Sequence, residues 1–139
     1  MKKLIFLSSF LLLITGVNAQ EESRHSFTVS CDSISSFEII SDKIYIFNTE
    51  ECNANFFIEE DIITFYYSDY FNAIKEVFEI FTMERPPDRG ISKYICEKTN
   101  GEEIIIEVSS EYGMVRMYNY ENENDNAVFH ISQMVLNYR

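Results

Sequence analysis

Three cysteines, two histidines and one run of acids and amides are the side chains whose types could do chemistry in this chain. A thiolate can attack, ligate a metal or pair with another thiol, and spacing helps to say which. Cys31, Cys52 and Cys96 form no CxxC unit, so a zinc ribbon or a thioredoxin-type site has no basis. In an oxidising compartment one pair can close and one thiol is left over. All three pairings are open, beside the plainer reading of each Cys as a small apolar core residue. His25 lies in a polar segment and His130 within the apolar run from Ala127 to Leu136. Either Cys31 or Cys96 with His130 would make a nucleophile pair if the fold brought them together. The alternative is an edge or core histidine with its hydrogen bonds satisfied.

Glu121-Asn122-Glu123-Asn124-Asp125-Asn126 places six oxygen-bearing side chains in succession, a composition that suits a hard cation. An EF-hand loop needs Gly at its sixth position and Glu at its twelfth, and counting from Glu121 gives Asn126 and Ser132. The motif fails, and a solvated hairpin loop is expected. Paired carboxylates of the glycosidase kind are chemically available among 23 acids, but that abundance singles out no pair. There is no GxSxG, no HExxH and no phosphate-gripping loop, and the chain holds four glycines. Phe65, Tyr66, Tyr67, Tyr70 and Phe71 could line a ligand groove, although strand packing explains them as well. Catalytic residues are therefore unknown, and no cofactor or metal site is expected.

The elements that must position these residues begin after an export signal. Lys2 and Lys3 form a positive n-region, Leu4 to Ile14 an apolar run, and Val17-Asn18-Ala19 a small-residue cleavage site. The apolar run has 11 residues, short of the roughly 20 that cross a bilayer, so no permanent membrane anchor is expected. Cleavage after Ala19 would leave Gln20 first and residues 20–139 as one domain. The signal holds two of the 11 Lys and Arg and none of the 23 acids, so the processed chain carries 9 − 23 = −14. That charge repels phosphate backbones and anionic lipid, which argues against nucleic acid as a partner. It favours a basic protein, or serves solubility alone.

The processed chain reads as all-β, an antiparallel sandwich or small barrel of about seven or eight short strands. A hairpin over Phe37–Phe47 turning at Ser41-Asp42 pairs Ile39 with Ile44 and Phe37 with Ile46, all on one face. A second runs from Asn55 to Tyr67 around Glu59-Glu60-Asp61, and its arms are apolar on both faces, as for strands covered on both sides. From Asp69 to Met83 the spacing of Phe71, Ile74, Phe78 and Phe81 fits a short helix near 69–82. The run Val77–Thr82 fits a strand returning from a turn near Asn72, and the strand is preferred. Pro86–Gly90 is expected to be an exposed loop.

Asn100-Gly101 is the strongest hairpin signal. A two-residue type I′ turn there pairs Lys98 with Glu103, Glu97 with Ile104 and Ile95 with Ile106. It places Ile95, Ile104, Ile106 and Val108 on one face and Cys96 and Ile105 on the other. Gly113–Tyr120 and Ala127–Leu136 supply two further strands.

The Ala19-Gln20 junction and the Tyr94–Ile106 hairpin resemble short exported proteins common in Bacteroidota. The resemblance implies a Gram-negative envelope, hence periplasm or secretion, and no activity to transfer; Val135-Leu136-Asn137-Tyr138-Arg139 is no recognisable secretion-sorting domain, so periplasm is expected ahead of secretion. The expected role is a non-enzymatic secreted or periplasmic module that binds a protein or small ligand. The alternatives are an acidic inhibitor or immunity-like protein masking a basic partner, and a small extracytoplasmic hydrolase.

Overall fold

Strand-forming runs punctuated by polar turns build eight strands in the computed structural model, which describes residues 26–85, 90–123 and 126–137. They are β1 (Ser26–Ile40), β2 (Lys43–Ile58), β3 (Ile62–Ser68), β4 (Ala73–Glu84), β5 (Ile91–Glu97), β6 (Glu103–Ser109), β7 (Met114–Asn119) and β8 (Asn126–Asn137). The expected signal segment, Gln20, His25, residues 86–89 of the proline loop and residues 124–125 of the acidic loop lie outside the described residues.

Each strand runs antiparallel to the next, and β8 pairs with β1 to close the ring. Of the two architectures expected, the barrel forms. Closure removes the sheet edges that an open meander would expose. Alternation then sends every second side chain inward. Val29, Phe56, Ile63, Phe78, Ile106, Val115 and Phe129 are fully buried. Phe56 stacks on Phe65 at 4.7 Å, and Phe129 meets the two rings edge-on at 5.3 and 5.5 Å. An eight-stranded barrel is just wide enough to be filled by side chains, and these rings make the inside a core rather than a pore.

The strands at 56–67 are not covered on both faces. Phe56, Ile58, Ile63 and Phe65 point in, while Phe57 and Tyr66 are exposed on the outer wall. A barrel has one interior, and the outer aromatics shelter one another instead: Phe57 and Tyr66 meet edge-to-face at 5.5 Å, with the Lys75 ammonium 5.6 Å from the Tyr66 ring. Between 69 and 84 the strand prevails over the helix. Residues Asp69–Asn72 turn, closed by the Asp69 N–H donating to the Asn72 carbonyl at 2.9 Å. β4 then pairs with β3, setting Phe78 against Ile63 in the core.

The β5–β6 hairpin corrects the expected register by one residue. Cys96 stands opposite Ile104, Tyr94 opposite Ile106 and Ile95 opposite Ile105. The Lys98 N–H donates to the Glu102 carbonyl at 2.8 Å and the Gly101 N–H to the Lys98 carbonyl at 3.0 Å. The loop therefore has three residues, Thr99, Asn100 and Gly101, with Gly101 at φ 89°. This is the three-residue hairpin in which the glycine takes the left-handed position. Cys96 thus shares the interior with Ile104 and Ile106, and Ile95 and Ile105 face out. Lys98, expected opposite Glu103, instead makes ion pairs with Glu76 at 3.8 Å and Glu102 at 3.7 Å.

Ile106 is fully buried and Glu103 exposed. Ile106→Ala should cost about 2–5 kcal/mol and Glu103→Ala under about 1. Gly101→Val should cost about 1–3, because a β-branched residue must enter positive φ. Urea denaturation of the three variants gives the order, and a Glu103→Ala cost equal to that of Ile106→Ala would contradict the register.

Candidate functional site

The feature that departs from a plain barrel is the β1–β2 hairpin. β1 pairs with β8 only as far as Ser35, opposite Val128, and β2 pairs with β3 only from Asn53, opposite Ser68. Beyond these points the two strands continue as an arm, turning at Ser41 and Asp42, both at positive φ. The arm has the expected register, Phe37 with Ile46 and Ile39 with Ile44.

A bulge bends the arm at its root. Ile34 faces Glu50 and Ser36 faces Phe47, so Ser35 stands against both Asn48 and Thr49. Asn48 has φ 55°, a left-handed value that Asn tolerates better than most residues. The Ser35 hydroxyl lies 2.7 Å from Thr49 Oγ1 and 2.8 Å from His130 Nε2. A buried hydroxyl left alone would cost about 1–3 kcal/mol, so the three side chains satisfy one another and fix the bend. Across it, the Phe37 N–H donates to Asn126 Oδ1 at 3.0 Å.

The bend lays the arm over the outer wall. Phe37 is buried with Ile105, Tyr118 and Val128, and Ile39, Ile95 and Met114 pack around them. The Arg116 guanidinium sits 4.5 Å from the Phe37 ring and 4.9 Å from the Tyr118 ring, and Nη1 is 3.0 Å from Glu107 Oε1. Burial, then the Glu107 charge, push the Tyr118 hydroxyl above its ordinary range, so the phenol stays neutral beside this pair. Arg116 Nε is buried without a hydrogen-bond partner. Beneath the arm tip a cleft of ≈ 320 Å³ opens between Asp42 and Ile44 on one side and Ile91, Met114 and Arg116 on the other.

The arm's other surfaces are uncovered. Ile40, Ile44, Tyr45, Ile46 and Phe47 are all exposed. Lys43 to Cys52 have β1 on one side and, among the described residues, no strand on the other. In a two-residue hairpin the residues flanking the turn exchange both hydrogen bonds, and alternation from there turns the N–H and C=O of Ile44 and Ile46 toward the open edge. Four acids, Glu38, Asp42, Glu50 and Glu51, and one cation, Lys43, surround the apolar run, all exposed.

The residues flagged by type fall elsewhere. His130 Nε2 lies 2.8 Å from the Ser35 hydroxyl, which is only 2 % exposed and is also engaged by Thr49. Cys96 lies on β5, across the ring from β1 and β2. Burial pushes its thiol up to about 12, away from the thiolate that nucleophilic chemistry needs. The five aromatics do not share one groove. Phe65 is in the core, Tyr66 on the outer wall, and Tyr70 and Phe71 stand 93 % and 86 % exposed at the β3–β4 turn. That turn is locked by Asp69, whose carboxylate accepts from the Tyr67 hydroxyl at 2.6 Å and from the N–H groups of Phe71 and Asn72 at 2.8 Å each. The Tyr67 bond, then the two backbone donors, hold the Asp69 carboxyl below its usual range. Of the acidic loop, Asn126 is committed to Phe37 and to the Glu123 carbonyl.

The arm was not singled out by residue type. Its signal was the run Lys43-Ile44-Tyr45-Ile46-Phe47, which is apolar at both odd and even positions although one face suffices to cover the barrel. The geometry defines a closed up-and-down barrel with a filled interior and an external arm. Comparisons with protein-family models, with curated proteins and with solved structures find no match to this chain.

Proposed function

We propose that this chain is an extracytoplasmic, non-enzymatic module that captures an extended strand of a partner protein along the open edge of β2. The observation that carries the reading is that edge, from Lys43 to Cys52, with exposed apolar side chains on both faces of the arm. Unpaired N–H and C=O groups in a row are a template for an added strand, and side-chain contacts at alternate positions give selectivity. Natural edges of this length are normally blunted by lysines, proline or a covering segment, and here a single Lys43 stands in the apolar run. The four acids around it favour a partner strand with Lys or Arg flanking its apolar residues, which would also speed encounter. An inhibitor of a basic protein is the narrower form of the same reading. The filled core argues against carriage of a ligand inside the barrel.

The test uses exported bait recovered from the periplasm or medium, so retention in the cytoplasm overturns the address before binding is read. Ile46→Pro removes an N–H that faces the open edge and leaves the arm's own ladder intact, a position where proline is tolerated. Tyr45→Pro removes an N–H used within the arm. Capture of a partner from envelope extract should weaken at least about tenfold, or 1.4 kcal/mol, with Ile46→Pro while the fold stays unchanged by circular dichroism. Tyr45→Pro should disrupt the arm as well. Equal capture by wild type and Ile46→Pro would refute edge pairing. Capture lost only at high salt would point instead to masking by the acidic face.

A further inference from the structure

Cys31 is paired with Ala54 on β2, and Cys52 lies two residues from Ala54 along that strand. Cys31 is buried in the interior cluster, and Cys52 packs against the same cluster. In a regular ladder such diagonal neighbours are too far apart to bond. With a rise of about 3.3 Å per residue and strands about 4.8 Å apart, their Cα atoms stand about 8 Å from one another. Disulfides want roughly 4.4–6.8 Å.

The ladder is not regular here. Cys31 faces Ala54 but Ser33 faces Glu51, so Asp32 alone stands against both Cys52 and Asn53. Three steps of β2 fit beside two of β1, which shortens the offset along the strand and, on the same ideal spacings, corresponds to a Cα separation of about 6.5 Å. Cys96 sits on β5, four strands from β1 and three from β2 around the ring of eight, with the aromatic core between. Of the three possible pairings, the topology keeps one.

We propose that Cys31 and Cys52 close a disulfide at the root of the arm and leave Cys96 as a free buried thiol. Both cysteines are thiols in this structure, and the bond is made by thiol–disulfide exchange with an oxidising disulfide, small or protein-borne. The Cys52 thiolate attacks one sulfur of the oxidant and expels a thiol. The Cys31 thiolate then attacks Cys52 Sγ in the mixed disulfide and expels the second. Two S–H bonds are lost and one S–S bond is made, and two electrons and two protons leave with the reduced oxidant.

Timing follows from the thiols' surroundings. Burial, then Cys52, then Asp32 push the Cys31 thiol up to about 12. Burial, then Asp32 and Asp69, push Cys52 up to about 11. Thiolate is scarce once the barrel has closed, so the bond forms during folding, and the folded reduced protein resists oxidation.

The full chain is refolded from denaturant in reduced and oxidised glutathione, alkylated and mapped by mass spectrometry. The expected product is about 2 Da lighter than the reduced chain, joins the Cys31 and Cys52 peptides, and alkylates at Cys96 after denaturation. Cys96→Ser should give the same bond, and Cys31→Ser and Cys52→Ser no intramolecular bond. Three alkylated cysteines after oxidative refolding, or Cys96 in the bond, overturns the proposal. If refolding fails, the same mapping on exported protein decides the pairing. A bond made in vitro but absent from protein recovered from cells supports the pairing and counts against the oxidising address.

Discussion

Replacing Phe56 by Ala is expected to destabilise the protein by about 3–5 kcal/mol, against a total of roughly 5–15 for a domain of this kind. The ring is fully buried, stacked on Phe65 and met edge-on by Phe129. Neighbours drawn from β2, β3 and β8 are tied into their own ladders, so they cannot collapse into the void, and the cavity term adds in full. The control is the next residue. Phe57 is 39 % exposed on the outer wall, and Phe57→Ala should cost under about 1.5 kcal/mol, the worth of its edge-to-face pair with Tyr66. Urea midpoints, with m-values to check that the unfolded state is unchanged, measure both. Equal costs would mean that β2 does not alternate between inside and outside, and the closed barrel would fall with that.

Arg116→Ala is the second large effect, expected at about 3 kcal/mol. The side chain is mostly buried, and so is Glu107. Its loss removes the plate between Phe37 and Tyr118 and leaves the Glu107 carboxylate without its cation. Leaving the partner charge buried and alone is the larger part of the cost. Glu107→Gln in the Arg116→Ala background should recover a portion, because the stranded charge is gone. Arg116→Lys should not restore the wild type, since an ammonium offers no flat surface to two rings. Hydrogen exchange at Phe37, whose N–H is held by Asn126, and at Glu38 and Tyr45, whose N–H groups lie in the arm's own ladder, reports the arm itself and should accelerate in Arg116→Ala. If stability and exchange are both unaltered, the arm is not held down by this residue.

The strand content was legible because Ile, Phe and Tyr recur in short runs with polar turns between them. The turn at Ser41-Asp42 was placed correctly on apolar pairing alone, although the dipeptide is a poor type I′ former. Asn100-Gly101, the better-looking turn, misled by one residue. Gly supports the left-handed position in a two-residue and a three-residue loop alike, and the flanking Glu97 and Glu103, one opposite the other, give no apolar cue to the register. The helical spacing of Phe71, Ile74, Phe78 and Phe81 was coincidence: Phe71 is in a turn, Phe78 is in the core, and Ile74 and Phe81 are exposed. The site was the least legible part. Which sheet edge stays open depends on where β1 leaves β8 and β2 joins β3, and those are pairings between distant residues. Arg116 left one trace, a lone cation in the run Met114-Val115-Arg116-Met117-Tyr118, which needed a partner that only the fold supplies.

The ring is sealed between the first strand and the last, with Ser26 opposite Asn137. Both described ends therefore lie side by side on an antiparallel pair. A force applied between them would load the rungs one after another, starting at Ser26 and Asn137, and would never shear the whole ladder at once. Under tension such a seam peels like a zip. A machine that pulled the two described ends apart would therefore open the ring at this seam.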